Sequence, residues 1–107
     1  MVSEIDSPSL YEQLQKKDLS LIDIRTPAEV AQAAIPGAIH IPMHLLPLRM
    51  EELPKDKEVV LYCRSGARSY HACSYLMQQG IDNVINLRGG IISWARHGFE
   101  IQPGLQS

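Results

Sequence analysis

The run Val59-Val60-Leu61-Tyr62 constrains this chain more than any other stretch. It follows the polar Lys55-Asp56-Lys57 and shows none of the apolar/polar alternation of a strand with one wet face. The strand it predicts over Glu58–Tyr62 is therefore buried on both sides, as in a parallel sheet covered by helices above and below. The helix signals are present. Ser7-Pro8 reads as an N-cap with proline in the first turn of a helix running to about Lys16, with Leu10 and Leu14 on one face. Thr26-Pro27-Ala28-Glu29 is a capping box at the start of a second helix. Ala72, Cys73, Leu76 and Met77 form one stripe of a helix over Ala67–Gln79, stopped by Gly80.

Further strands are expected over Leu19–Ile24, over Val84–Leu87, and as a short edge over Ala38–Ile41 before Pro42. Leu45 to Leu53 suggests a third helix confined by Pro47, and Gly89-Gly90 a tight turn before a last short helix that ends near Gly98. Strands alternating with helices define an α/β sandwich with a mainly parallel central sheet. At 107 residues, 45% hydrophobic and 21% charged, residues 1–107 are expected to form one domain.

Composition removes several function classes. Ten basic against twelve acidic residues, net charge -2, do not make a nucleic-acid-binding surface, so any anion site must be local. No apolar run reaches the ~18 residues of a membrane span, because Pro36, Pro42 and Pro47 interrupt the best candidate. The amino terminus lacks the basic start and apolar run of a signal peptide, and two cysteines suit a reducing compartment; the cytoplasm is the expected location.

The chemistry concentrates in Cys63-Arg64-Ser65-Gly66-Ala67-Arg68, between the best strand and the best helix. That junction sets a thiol at the carboxyl edge of the sheet, where open α/β sheets bind ligands, and at a helix amino terminus with unpaired N–H groups. The arginines add full positive charge, so Cys63 is expected to ionise below the ~8.5 of a free cysteine. Gly66 lets the loop curl its amides around the sulfur as an anion nest.

This hexapeptide resembles the active-site loop of single-domain rhodaneses, the thiosulfate sulfurtransferase family. Leu21-Ile22-Asp23-Ile24-Arg25-Thr26-Pro27-Ala28-Glu29 is similar to the family's Asp-x-Arg segment, Ile35-Pro36-Gly37-Ala38 to its Ile-Pro-Gly-Ala stretch, and Leu87-Arg88-Gly89-Gly90 through Trp94 to its late Gly-Gly and tryptophan. The family usually has an aromatic residue after the glutamate and Gly-His before Ile-Pro-Gly-Ala; here those places hold Val30, Ala33 and Ala34.

The resemblance implies a rhodanese-like three-layer sandwich and transfer of sulfane sulfur through a Cys63 persulfide, without cofactor or metal. The donor would be a small anion such as thiosulfate or polysulfide, and the acceptor cyanide, a small thiol or a sulfur-carrier protein. Cys63 would be the nucleophile, and Arg64, Ser65, Gly66, Ala67 and Arg68 the binding loop. Arg64 would meet the donor at the mouth while Arg68 buttresses the loop. Asp23 and Arg25 would support from the neighbouring strand, Asp23 by pairing with a loop arginine. A carrier or binding module serving a protein acceptor is the alternative. Phosphatase or arsenate reductase chemistry is disfavoured because the loop has six residues from cysteine to arginine, one fewer than the related phosphatases, and Tyr62 stands where protein phosphatases carry histidine.

Other residues take plainer roles. Cys73 lies on an apolar helix stripe, His40 and His44 are separated by Pro42 and unsuited to share a zinc ion, His71 is expected to be exposed, and Trp94 is a core anchor.

Overall fold

The computed structural model describes residues 1–104. Its elements are β1 (Ser3–Ile5), α1 (Ser7–Lys16), β2 (Ser20–Asp23), α2 (Pro27–Gln32), β3 (Ile39–His40), α3 (Leu46–Arg49), β4 (Val59–Tyr62), α4 (Ala67–Gln78), β5 (Val84–Leu87) and α5 (Gly90–Arg96). The five strands form one sheet in the order β1-β5-β4-β2-β3, every neighbouring pair parallel. β4 is central, with Leu61 opposite Ile22 on one side and Asn86 on the other.

The expected double-sided burial of β4 is present. Val59 and Leu61 face a core that includes Ile22, Leu46, Leu53, Ala72, Cys73 and Leu76, beneath α3 and α4. Val60 and Tyr62 face the opposite core with Leu10, Leu87, Ile91 and Trp94, beneath α1 and α5. Two-residue periodicity thus divides one short strand between two cores. Trp94 is buried, its indole N–H donating to the Glu100 carbonyl at 2.8 Å, so it anchors the second core as expected.

Several boundaries differ from expectation. The N-cap of α1 is Asp6, which accepts from the Ser9 amide at 2.9 Å; Ser7 is already helical and buried, donating to Ser93 Oγ at 3.1 Å. The third helix shrinks to Leu46–Arg49 between two 3-10 turns, Met43–Leu45 and Met50–Glu52, because Pro47 fits only a helix's first turn. β1 escaped notice: three residues, two of them exposed, carry no periodic signal, and parallel pairing with β5 defines the strand.

β2 leads outward to β3 while β4 leads to β5 on the other side, so the chain diverges between the carboxyl ends of β2 and β4. Ligands bind at such a switch point in open α/β sheets. Cys63 follows β4 directly at that point.

Gly89-Gly90 does more than turn the chain. The α5 amides of Ile91 and Ile92 donate to the Cys63 and Arg64 carbonyls at 3.0 and 3.2 Å, docking the helix onto the thiol loop. Gly90 has φ +60°, and a Cβ there would fall on the Cys63 and Arg64 carbonyl oxygens. Gly90→Ala should therefore push α5 off the loop, costing about 1–3 kcal/mol in urea unfolding and slowing alkylation of Cys63 in the folded protein. Unchanged stability and thiol reactivity would remove Gly90 from this role.

Candidate active site

The loop places its thiol at the centre of a small set of donors. Cys63 Sγ accepts from the Gly66 amide at 3.1 Å, and it lies 3.5 Å from the Ser69 amide and 3.4 Å from the Ser69 hydroxyl. Gly66 makes this curl possible: it is the N-cap of α4 at φ +99°, in the left-handed region, packed against the backbone of Gly89 and Leu87. Cys63 is only 1% exposed, so burial pushes its thiol up. Hydrogen bonds from the Ser69 hydroxyl and from the amides of Ser69, Gly66 and Ser65 outweigh that effect and hold the thiol below its ordinary value. Cys73 shows the contrast. It is also buried, has no such donors among the described residues, and is pushed up by burial to about 12, the condition of an inert core thiol.

The two loop arginines behave differently. Arg64 is exposed at the mouth and makes no ion pair among the described residues. Arg68 is bidentate to Glu29, Nη1 to Oε1 at 2.9 Å and Nη2 to Oε2 at 2.8 Å. Glu29 also completes the expected capping box, accepting from the Thr26 amide at 3.0 Å while the Thr26 hydroxyl accepts from the Glu29 amide at 3.3 Å. One carboxylate thus starts α2 and clamps the first turn of α4. The Arg68 hydrogen bond is the main reason that the Glu29 carboxyl is lowered to about 2.

The expectation that Asp23 pairs with a loop arginine is corrected. Asp23 accepts from the Arg25 amide at 3.0 Å and from Arg25 Nη2 at 2.7 Å, and Arg68 is taken by Glu29 instead. Asp23 and Arg25 are 1% and 5% exposed, with the Arg25 guanidinium 5.6 Å from the Tyr62 ring centroid and donating to the Ala33 carbonyl. The Tyr62 hydroxyl in turn accepts from the Ile35 amide at 2.9 Å. The pair therefore belongs to a buried network that ties β2 to the Ala33–Ile35 segment. The geometry is local: two residues apart on one strand end, Asp23 and Arg25 meet without crossing the sheet.

Two of the three departures, Val30 and Ala34, acquire a packing account, and nothing in the structure explains Ala33. Val30 and Ala34 are buried under the tail, with Ala34 bridged to Gln102 and the Gly104 amide donating to the Val30 carbonyl at 2.9 Å. A Cβ on Gly104 would lie 2.6 Å from Ala34 Cβ, so small side chains let the backbone close here. His40 donates through Nε2 to the Arg25 carbonyl at 2.7 Å, and His71 is exposed. His44 lines a cleft of about 370 Å³ at the switch point, together with Arg25, Thr26, Met43 and Arg68.

Three residues at the site were missed. Ser69 sits beside the sulfur, and Asn86 on β5 contacts both Ser69 and the Gly66 carbonyl. Both are buried polar side chains; Asn86 interrupts the apolar run Val84–Leu87, which is a legible signal because an amide in a buried strand needs partners. Glu29 gave no sign of its second role, since Arg68 is 39 residues away in sequence.

The comparisons with known proteins agree with this fold. Residues 6–97 match the rhodanese-like domain. A protein of Allochromatium vinosum named sulfurtransferase is 66% identical over 102 residues, covering 94% of this chain and 95% of its own. The thiosulfate sulfurtransferase GlpE of Glaesserella parasuis is 29% identical, covering 95% of this chain and 94% of its own. The crystal structure of a thiosulfate sulfurtransferase from Pseudomonas aeruginosa superposes with a TM-score of 0.89 at 28% identity, covering 98% of this chain and 21% of that one. With its parallel five-stranded sheet and cysteine loop, the chain belongs to the rhodanese-like family. Its relatives place it among the sulfurtransferases.

The Glu29–Arg68 clamp carries a pH signature. A carboxyl lowered from 4.5 to about 2 in the folded protein stabilises fully above the unfolded value and loses that stabilisation as pH falls through the folded one. The partners are 28% and 39% exposed, so solvent screening reduces the contribution to about 1 kcal/mol. Wild type and Glu29→Gln should differ by that amount in urea unfolding above pH ~5 and converge as pH approaches ~2. A constant difference across this window would show that the ion pair is not its source.

Proposed function

We propose that the protein transfers sulfane sulfur from a small anionic donor such as thiosulfate or polysulfide to a thiophile through a persulfide on Cys63. The observation that carries this reading is the ring of donors from Ser65, Gly66 and Ser69 around a buried sulfur whose thiol is lowered despite its desolvation. Cys63 thiolate attacks the outer sulfur of thiosulfate, the sulfur–sulfur bond breaks, and sulfite departs with the bonding pair. A persulfide anion remains on the protein. Amides of the loop from Arg64 to Arg68 would surround its negative charge. Cyanide, a small thiol or a cysteine of a carrier protein then attacks the terminal sulfur, and Cys63 leaves as the thiolate.

The occupation of Arg68 supports sulfur over phosphoryl transfer. Two of its guanidinium nitrogens are bound to Glu29, whereas phosphoryl transfer relies on cationic groups aimed at the equatorial oxygens of the transferred group. Arg64 at the mouth, without an ion pair among the described residues, would meet a dianionic donor, and the cleft beside Arg68 and His44 would offer an approach for the acceptor. The names of the Glaesserella and Pseudomonas proteins favour thiosulfate among the donors. The cytoplasm is the proposed location; no helix among the described residues is long and apolar enough to cross a membrane.

Mass spectrometry after anaerobic incubation with thiosulfate and desalting should find one added sulfur atom on Cys63, removable by cyanide. Cys63→Ser should not load, while Cys73→Ala should load and turn over nearly normally. Discharge far faster to a protein thiol than to cyanide would identify a carrier module. No added sulfur on a reduced Cys63, combined with hydrolysis of an aryl phosphate, would overturn sulfur transfer. Arg64→Ala should raise the KM for thiosulfate by about tenfold while changing kcat little, because the lost attraction precedes the chemical step. An unchanged KM would exclude Arg64 from donor binding.

A further inference from the structure

Ser69 and Asn86 are almost completely buried, and together they leave one proton contested beside the nucleophile. The Ser69 hydroxyl lies 3.4 Å from Cys63 Sγ and is also hydrogen-bonded to Asn86 Oδ1. A hydroxyl has a single proton, and both a thiolate and an amide oxygen are acceptors, so only one of them is served at a time. Asn86 cannot resolve the conflict by flipping its amide. Its Nδ2 donates to Glu4 Oε2 at 2.9 Å and to the Gly66 carbonyl at 3.2 Å, both of which accept only, so both amide hydrogens are committed and Oδ1 is held toward Ser69.

We propose that Asn86, oriented by Glu4 and the Gly66 carbonyl, is a positioning residue that competes with Cys63 for the Ser69 proton. The hydroxyl points to sulfur when Cys63 is a thiolate and to the Asn86 oxygen when Cys63 carries a persulfide. The inference rests on Cys63 being the sulfur-bearing nucleophile. In the thiolate the full negative charge is on Sγ, a strong acceptor. In the persulfide Sγ is a neutral bridging atom and the charge sits on the terminal sulfur, so the hydroxyl is released to Asn86. When an acceptor removes the terminal sulfur, charge returns to Sγ and the hydroxyl turns back to receive it, assisting departure of the thiolate. No atom is gained or lost in this exchange; one O–H bond rotates between two acceptors. Asn86 thus restrains the resting thiolate and favours loading.

The charged groups around this relay are few. Arg68 on α4 interacts electrostatically with Cys63 and is neutralised by Glu29 of α2; Asp23 at the end of β2 also acts on Arg68 and is itself paired with Arg25. Glu4 on β1 stands beyond the Asn86 amide.

The test is the pH dependence of Cys63 alkylation, with the modified peptide identified by mass so that Cys73 is not counted. Ser69→Ala should raise the Cys63 pKa by about one unit, and Asn86→Leu should lower it by about one unit because the hydroxyl then serves sulfur alone. The double variant should match Ser69→Ala, since without the hydroxyl Asn86 has nothing to compete for. Glu4→Ala removes one of the two acceptors that hold the Asn86 amide, so Oδ1 is held less firmly toward Ser69 and the pKa should fall by less than in Asn86→Leu, which keeps the question decidable if Asn86→Leu does not fold. Glu4→Gln retains an acceptor without the charge and should shift it less than Glu4→Ala. A pKa that stays or rises in Asn86→Leu and Glu4→Ala would overturn the relay. So would an Asn86→Leu shift that persists without the Ser69 hydroxyl, because Asn86 would then act only through Gly66. Persulfide loading measured in parallel separates the two levels: an unresponsive pKa with normal loading refutes the relay alone, whereas no loading of the wild type refutes the persulfide chemistry and leaves the pKa pattern to be read independently.

Discussion

When a loop turns its N–H groups inward toward a sulfur, its carbonyls face outward, and buried carbonyls need donors of their own. Here the first amides of α5 supply them, Ile91 to Cys63 and Ile92 to Arg64. The anion nest around Cys63 exists because another helix satisfies its reverse side. Gly90 allows that contact by having no Cβ where the Cys63 and Arg64 carbonyls lie. The late Gly-Gly and the cysteine loop, far apart in sequence, are two halves of one structure.

The remaining supports act at the loop's flanks. Double-sided burial fixes β4, so Cys63 leaves the sheet from its most constrained strand. On one flank, Glu29 couples the start of α2 to the first turn of α4 through Arg68. On the other, Asn86 of β5 contacts the Gly66 carbonyl and the Ser69 hydroxyl. A thiol that is buried yet ionisable is subject to opposing effects, since removal from water favours its neutral form. The fold reconciles them by delivering several neutral donors to the sulfur, while Arg68, which interacts electrostatically with Cys63, is engaged by Glu29.

That arrangement also sets the two loop arginines apart. A guanidinium bound bidentately to a carboxylate is held in place and largely neutralised, suited to fixing two helices relative to each other. Arg64, exposed at the loop mouth and without an ion pair among the described residues, keeps its charge unneutralised. The family resemblance implies Arg64 at the mouth and Arg68 as buttress; what the sequence does not show is the partner, Glu29, which binds Arg68 across 39 residues.

Local chemistry was legible in the sequence where neighbours in the chain determine the outcome. The apolar run of β4, the Thr26–Glu29 capping box, the stripe of α4 and the placement of a thiol at a strand-to-helix junction depend on residues a few positions apart, and each appears in the structure with small shifts of boundary. Tertiary structure decided the partners. Asp23 meets Arg25 because two strand-end residues can fold onto each other, leaving Arg68 for Glu29 across 39 residues. β1 becomes a strand through pairing with β5, and the Ser69–Asn86–Glu4 chain forms because the parallel sheet places β1 beside β5 and α4 above it. Short-range order follows from backbone preference and periodicity, whereas the choice among equally suitable polar partners is made by which of them the packed sheet brings within hydrogen-bonding distance.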